Sequence, residues 1–466
     1  MNVNAPLSRE FVEALARESP AAVANLVMVM QEHLVELRAE IGRLQARVAE
    51  LEAQNRPPSA PFRRREDERT KSPKKPGRPP GHEGTCRKVP EVIDEVIEVP
   101  LPHCPECAGA LEMVTPIEQF IEELPVVRPH VTRLTTYEGR CPCCDKLVRS
   151  THPRQTSTAG GCAGVQLGAR AVAVAAELKH GLGLTLRKTC RALDLLGGLK
   201  VTHSGLLNAF DRAAQKLATE EQNLHAELLK SPVIHTDETS WWKTGPCSLW
   251  VFTTPGENGL TLYRVVDHRD RVTFHSVVPP DWPGMLISDC LSVYDTATEK
   301  QSKCYSHHLK ALRVAMRDQS PEIAAVDDWC GQAKAFLIEA MEHKKTHPFL
   351  PIAEQITERV RLENRANELF APPRPDAAQE RFRNRIGKQR DHLLTFLDVP
   401  EADATNNLAE RQLRGAVIAR KLSCGNKTAK GAATWQTLAS FAATCIQRGT
   451  SLVAFIAHRL PLSSAG

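Results

Sequence analysis

Two β-branched residues, Val233 and Ile234, lead into His235-Thr236-Asp237-Glu238-Thr239, and Trp241 and Trp242 follow at once. Such a run favours a buried strand that ends by presenting an acid. Asp237 is that acid. A second apolar run, Met285-Leu286-Ile287-Ser288, ends the same way at Asp289. A third acid, Glu410, sits in Asn406-Asn407-Leu408-Ala409-Glu410-Arg411-Gln412-Leu413-Arg414, which reads as a helix. Two strand-end aspartates and a helical glutamate are the carboxylate set of a two-metal phosphoryl-transfer site. Each acid also has a plainer reading. Aspartates end strands in turns, and Asn407-x-x-Glu410 fits a helix-capping pattern. The three together, with apolar strands before two of them and a basic helix after the third, favour the site.

The flanking pattern says what core would hold them. Short β-rich runs recur at Val233–Thr236, Leu249–Thr254, Leu260–Val266 and Met285–Ser288. A helix is expected over Val272–Val278, and another near Leu291–Thr298. Three strands, a helix, a strand and a helix make the plan of an RNase H-like core. Its first three strands meander antiparallel and the fourth pairs beside the first, which puts Asp237 and Asp289 on neighbouring strands. Residues 231–310 are its first part. Residues 311–400 are polar and helical, with a break at Pro372-Pro373-Arg374-Pro375, and read as a helical insertion. Residues 401–466 complete the core and add C-terminal helices. The expected fold is multidomain α+β: an N-terminal coiled coil, a small zinc-binding β module, a helical DNA-binding region and this α/β catalytic core.

A chain of 466 residues is long enough for several domains. Its charge of +5 is mild, but the basic residues cluster. No apolar stretch is long enough to span a bilayer, and the N-terminus lacks the plan of a secretory signal. Of fourteen cysteines only four have tight paired spacing. These features point to a reducing cytoplasm, with thiols rather than disulfides.

Within residues 1–55, Val27, Met30, Leu34, Leu37, Ile41, Leu44, Val48 and Leu51 recur at alternating steps of three and four. That is a coiled-coil seam, and it points to self-association; an amphipathic helix packed on the body of the protein is the other reading. Residues 56–90 are a basic, Pro-rich linker. In it Pro76-Gly77-Arg78-Pro79-Pro80-Gly81-His82 resembles an AT-hook, whose Arg enters a narrow minor groove, although Pro76 stands where a hook usually has its first Arg. Residues 91–155 read as a β module, with strand-like runs at Val92–Val99 and Val126–Tyr137. Cys104-Pro105-Glu106-Cys107 and Cys141-Pro142-Cys143-Cys144 offer four thiolates, Cys104, Cys107, Cys141 and Cys144, to one structural zinc. Residues 156–230 read as helices. Thr185–Leu196, Gly197-Gly198 and Thr202–Leu217 fit a helix-turn-helix with Arg187, Lys188 and Arg191 as phosphate contacts, and fit a plain helical hairpin equally.

Magnesium takes hard oxygen ligands, so three carboxylates suffice for two ions roughly 4 Å apart. Asp237 would bridge, with Asp289 and Glu410 completing one ion each. On a helix, Asn407, Glu410, Arg411 and Arg414 share a face, beside a buried face of Ala409, Leu413, Ala416 and Val417. From Arg411 to Lys430 there are six basic residues and no acid, which suits a DNA-facing edge. His307 and His308 have several readings: orienting DNA or a catalytic water, or simple core and surface positions. Trp241 and Trp242 read as core or as a platform under the site, with base stacking a lesser reading.

The blocks His235-Thr236-Asp237-Glu238-Thr239, Ser288-Asp289-Cys290 with Tyr294, Cys304-Tyr305-Ser306-His307, and Asn406-Asn407-Leu408-Ala409-Glu410-Arg411 with Arg414, Arg420 and Lys421 resemble the DDE transposases of the IS66 insertion-sequence family. The likeness extends to the coiled coil, Gly81-His82-Glu83-Gly84 and the paired CxxC module. It implies an RNase H-like core with a helical insertion, magnesium dependence, recognition of terminal inverted repeats, and Asp237, Asp289 and Glu410 as the triad. It also implies that small accessory proteins of the same element act alongside. Departures are Cys290-Leu291 where Gly-Tyr is usual, and Tyr305 and Lys310 where Trp and Arg are usual. The expected activity is cleavage at element ends and joining of the 3′-hydroxyl to target DNA. The rival readings are a nuclease without strand transfer, and a non-catalytic zinc and coiled-coil DNA binder.

Overall fold

The computed structural model describes residues 13–14, 17–54, 87–158, 164–295, 297–346 and 349–461. The chain divides into two units, Met1–Pro100 and Leu101–Gly466. Arg78 and the hook-like segment 76–82 lie outside the described residues.

In the first unit, helix α1 spans Pro20–Gln54. Pro20 stands at the first helical position, where its missing N–H is not needed. Five seam residues, Met30, Leu34, Leu37, Ile41 and Leu44, are exposed. The segment Val92–Val99 forms no strand.

The second unit begins with two cysteine turns of the same shape. Cys104 N–H donates to Gly109 O and Cys141 N–H to Lys146 O, at 3.0 and 2.9 Å. Four residues after each first cysteine the backbone turns left-handed, at Ala108 (φ 58°) and Asp145 (φ 54°). The second turn joins β1 (Glu138–Arg140) to β2 (Leu147–Arg149), an antiparallel hairpin. The run Val126–Tyr137 forms no strand, its last residue alone being tied to Ser150: Val126, Val131 and Tyr137 are exposed, and β-branched residues need a neighbouring strand to pack on.

Helices α2 (Ala169–Ala176), α3 (Leu186–Gly197), α4 (His203–Lys216) and α5 (Ala218–Leu228) follow. Thr185 and Thr202 cap α3 and α4, and Gly198 ends α3 in the left-handed conformation (φ 60°). Their buried residues Val172, Phe210, Leu206 and Leu224 belong to the same core as Ile234, Trp250 and Phe252 of the sheet. The helical hairpin is therefore one layer of the central body.

That sheet has the order β5-β4-β3-β6-β7, from β3 (Val233–Trp242), β4 (Pro246–Thr253), β5 (Thr261–Val266), β6 (Met285–Ser288) and β7 (Lys300–Lys303). The first three run antiparallel; β6 is parallel to β3, and β7 to β6. A short helix α6 (Arg271–His275) precedes β6. After Asp289 the chain makes only a 3₁₀ turn, Ser292–Tyr294, and then adds β7 where helix was expected.

Side-chain alternation assigns the two faces. Ile234, Trp250, Phe252 and Leu286 enter the core beneath α2–α5. Val233, Met285 and Ile287 enter a second core. That core is built from helices after β7, α7 (Tyr305–Asp318), α9 (Trp329–Thr346), α10 (Ile352–Phe370) and α11 (Ala377–Lys388), while the short α8 (Pro321–Val326) buries no residue. Trp241, Leu249 and Val251 meet α12 (Asn407–Ser423) through Ala409, Leu413 and Ala416.

Helix α13 (Ala429–Gln447) lies along β5, and α14 (Leu452–Arg459) follows. The outward N–H groups of Thr261, Tyr263 and Val265 donate to Thr444 Oγ1, Ser440 Oγ and Gln436 Oε1, at 3.1, 2.9 and 3.0 Å. The match is geometric: four helical residues rise about 6 Å, close to the roughly 6.8 Å of two antiparallel strand residues.

Candidate active site

The β3–β6 register pairs Val233 with Met285 and His235 with Ile287. Extended by two residues, it sets Asp237 beside Asp289. Both acids have the parity of Val233 and Met285, so both face the side that α12 covers. Glu410 lies in the first turn of α12. The charges of Asp289 and Glu410 both bear on Asp237. Burial first, then the neighbouring Glu238, Asp289 and Glu410 charges, push the Asp237 carboxyl up to about 7, against a bond from the Glu238 N–H.

Glu238 has the opposite parity and a different task. Its carboxylate is buried, takes the hydroxyl of Tyr294 and pairs with Arg269. Alternation along one strand thus separates two adjacent acids onto opposite faces.

Asn406 fixes α12 against the strand. It is fully buried; its Nδ2 donates to Thr236 O at 2.7 Å, its Oδ1 lies 3.3 Å from His235 Nδ1, and its N–H donates to Cys304 Sγ at 3.2 Å. Burial holds His235 down to about 4, so its ring is neutral at physiological pH. Asn406→Ala strips the partner from the buried Thr236 carbonyl. It should cost about 2–3 kcal/mol, read as a lower urea midpoint with an unchanged slope; an unshifted midpoint would contradict this role.

The remaining residues singled out in the sequence divide into groups. Arg411 and Arg414 are exposed on α12 beside Glu410, and Arg187 and Lys188 are exposed on α3. Arg420 instead bonds to Thr239 Oγ1 (3.1 Å) and Ser240 Oγ (2.6 Å), tying α12 to the end of β3. Lys421 is exposed. Trp241 is core, its indole N–H on Asn426 and its ring 4.6 Å from that of Trp435; Trp242 is half-exposed. Gly425 (φ 87°) passes so close to Trp242 O that a Cβ would sit 2.6 Å away, which requires glycine. Among the described residues the four paired cysteines are not gathered into one cluster; the group that is gathered is Cys304, His307 and Glu410. His308 is fully buried, and Lys303 is buried beneath the second acid with Nζ 3.3 Å from Ser288 Oγ. Sequence reasoning missed Lys303, because a lysine in a polar run carries no core signal.

No Lys or Arg forms an ion pair with Asp237 or Asp289 among the described residues. Clustered carboxylates without a paired Lys or Arg, one of them pushed up in pKa, fit a divalent cation as the missing charge. Such a cluster on a mixed sheet, bordered by exposed arginines, suits a protein that works on a phosphodiester backbone. The family model described as Transposase IS66 family matches residues 164–434. The chain belongs to that family, and so to the transposases, enzymes that bind and process DNA. No curated protein matches the chain. No described helix is long and apolar enough to cross a membrane.

Proposed function

We propose that this chain cleaves DNA at the terminal inverted repeats of an insertion sequence and joins the freed 3′-hydroxyls to target DNA. The observation that supports this reading is that the charges of Asp289 and Glu410 both bear on Asp237, whose strand pairs in parallel with the strand that leads into Asp289. The five-stranded sheet is read as an RNase H-like core, and α7–α11 as its insertion. Asp237, Asp289 and Glu410 are the residues that would hold two magnesium ions, and Asp237 would have to be ionised to serve as a ligand. Magnesium bound there would supply activation of the attacking oxygen and stabilisation of the leaving one. Arg411 and Arg414 meet the DNA backbone beside the acids, with Lys421 further along α12 and Arg187 and Lys188 on α3. Arg420 serves the site by holding β3. Arg78 adds a contact from the linker, a structural zinc would order the β module by drawing together the Cys104–Cys107 and Cys141–Cys144 turns, which the structure leaves apart, and α1 pairs two copies. Accessory proteins of the same element complete the assembly, which works on DNA in the cytoplasm.

The test is a labelled duplex carrying the element's end, an unlabelled target duplex, and magnesium or chelator. The expected result is magnesium-dependent transfer of the labelled 3′-end into the target. Cleavage without joining would favour the nuclease reading. End binding with neither product, accessory proteins included, would favour the non-catalytic one.

A further inference from the structure

We propose that Cys304, His307 and Glu410 form a second metal site, suited to Zn2+ rather than Mg2+, that shares Glu410 with the carboxylate cluster. One ligand atom from each lies within 4.8 Å of the others, and this is the one such group among the described residues. Two helix starts build it. Cys304 is the N-cap of α7 and His307 stands three residues on, so both side chains serve the same first turn. Glu410 comes from the first turn of α12, and Tyr305 N–H donates to Ala404 O (2.9 Å), locking the two starts together.

Each ligand is prepared for a cation. The His307 Nδ1 atom is shielded from water, has no hydrogen-bond partner and lies 3.9 Å from Glu410 Oε1. The Cys304 sulfur accepts the Asn406 N–H at 3.2 Å, and the N–H groups of His307 and Ser306 lie against it. Those donors and the positive end of α7 offset thiolate charge. Burial opposes ionisation of the thiol, and coordination overcomes that by deprotonating it. Magnesium rejects a thiolate, whereas sulfur, imidazole and carboxylate together are a zinc set with an open fourth position.

Occupation would turn Glu410 away from Asp237 and Asp289, so Zn2+ would inhibit a magnesium-dependent reaction. That consequence rests on the catalytic reading of Glu410; the binding does not. The experiment titrates the full chain with Cd2+, following thiolate-to-cadmium absorbance, and measures Zn2+ stoichiometry by dialysis. Wild type is compared with Cys304→Ser and His307→Gln, with thermal melts confirming that each is folded. Wild type should bind one equivalent more than either variant, and Cys304→Ser should lose part of the cadmium band. His307→Gln alters a partly exposed side chain and keeps the test open should Cys304→Ser fail to fold. Inhibition by Zn2+, scaled to each protein's own zinc-free rate, should be relieved in both. Equal stoichiometry and an equal band in all three proteins would overturn the site. A binding difference in proteins that show no cleavage would support the site while removing the catalytic reading of Glu410.

Discussion

Asp237→Asn, Asp289→Asn and Glu410→Gln should each retain binding to the element's ends while losing cleavage by about 10³-fold or more. Each carboxylate contributes charge where several kcal/mol of transition-state stabilisation is gathered, and about 4 kcal/mol is a factor of 10³. The amide and carboxamide replacements keep shape and remove charge, so the loss reports metal holding rather than folding. Glu410 stands apart from the two aspartates because it rides on a helix. Its position depends on the Asn406 anchor, so Asn406→Ala should lower activity in the same direction. The measurement is single-turnover cleavage of a labelled end with magnesium, alongside a gel-shift titration of the same duplex. Cleavage at the wild-type rate in any one variant would remove that residue from the triad.

The second large effect concerns stability in chelator. Asp237 moves from an ordinary 3.8 to about 7 on folding, so the folded state holds its proton more tightly than the unfolded chain. The sign follows from linkage. The site costs nothing below about pH 4; the cost grows as pH rises towards 7 and is complete above it. Three pKa units correspond to about 4 kcal/mol. Asp237→Asn should therefore be more stable than wild type at pH 8 by an amount of that order, and nearly equal to it at pH 4. Added magnesium should close the gap at pH 8 by stabilising only the wild type. Urea melts of the two proteins across this range decide it, and parallel curves would show that Asp237 is not held in this way.

Much of this arrangement is legible in the sequence because it follows from period and polarity. The apolar runs before Asp237 and Asp289 mark their strands, although β3 runs on through Asp237 to Trp242 instead of ending at the acid, and the period of two fixes which face each acid takes. The helix around Glu410 shows its buried stripe in Ala409, Leu413 and Ala416. What the sequence conceals is burial of polar residues. Strand β7 reads Lys300-Gln301-Ser302-Lys303, yet Gln301, Ser302 and Lys303 are almost wholly buried. Its pairing with β6 is a backbone matter that no hydrophobic pattern announces. Arg420 looks like its exposed neighbours and is distinguished only by reaching Thr239 and Ser240. The Cys304–His307 spacing is visible, but its approach to Glu410 depends on how α7 and α12 start, about a hundred residues apart in sequence.

The side-chain ladder from α13 to β5 sets an order of events in the making of the protein. Until Gln436, Ser440 and Thr444 have left the ribosome and their helix has docked, the N–H groups of Thr261, Tyr263 and Val265 stand open as a rail for any passing strand. A chain arrested before residue 436 would carry a nearly complete sheet with one adhesive border. The finished molecule has no such border there. On that side the sheet offers no free edge that a partner or a second copy could lengthen.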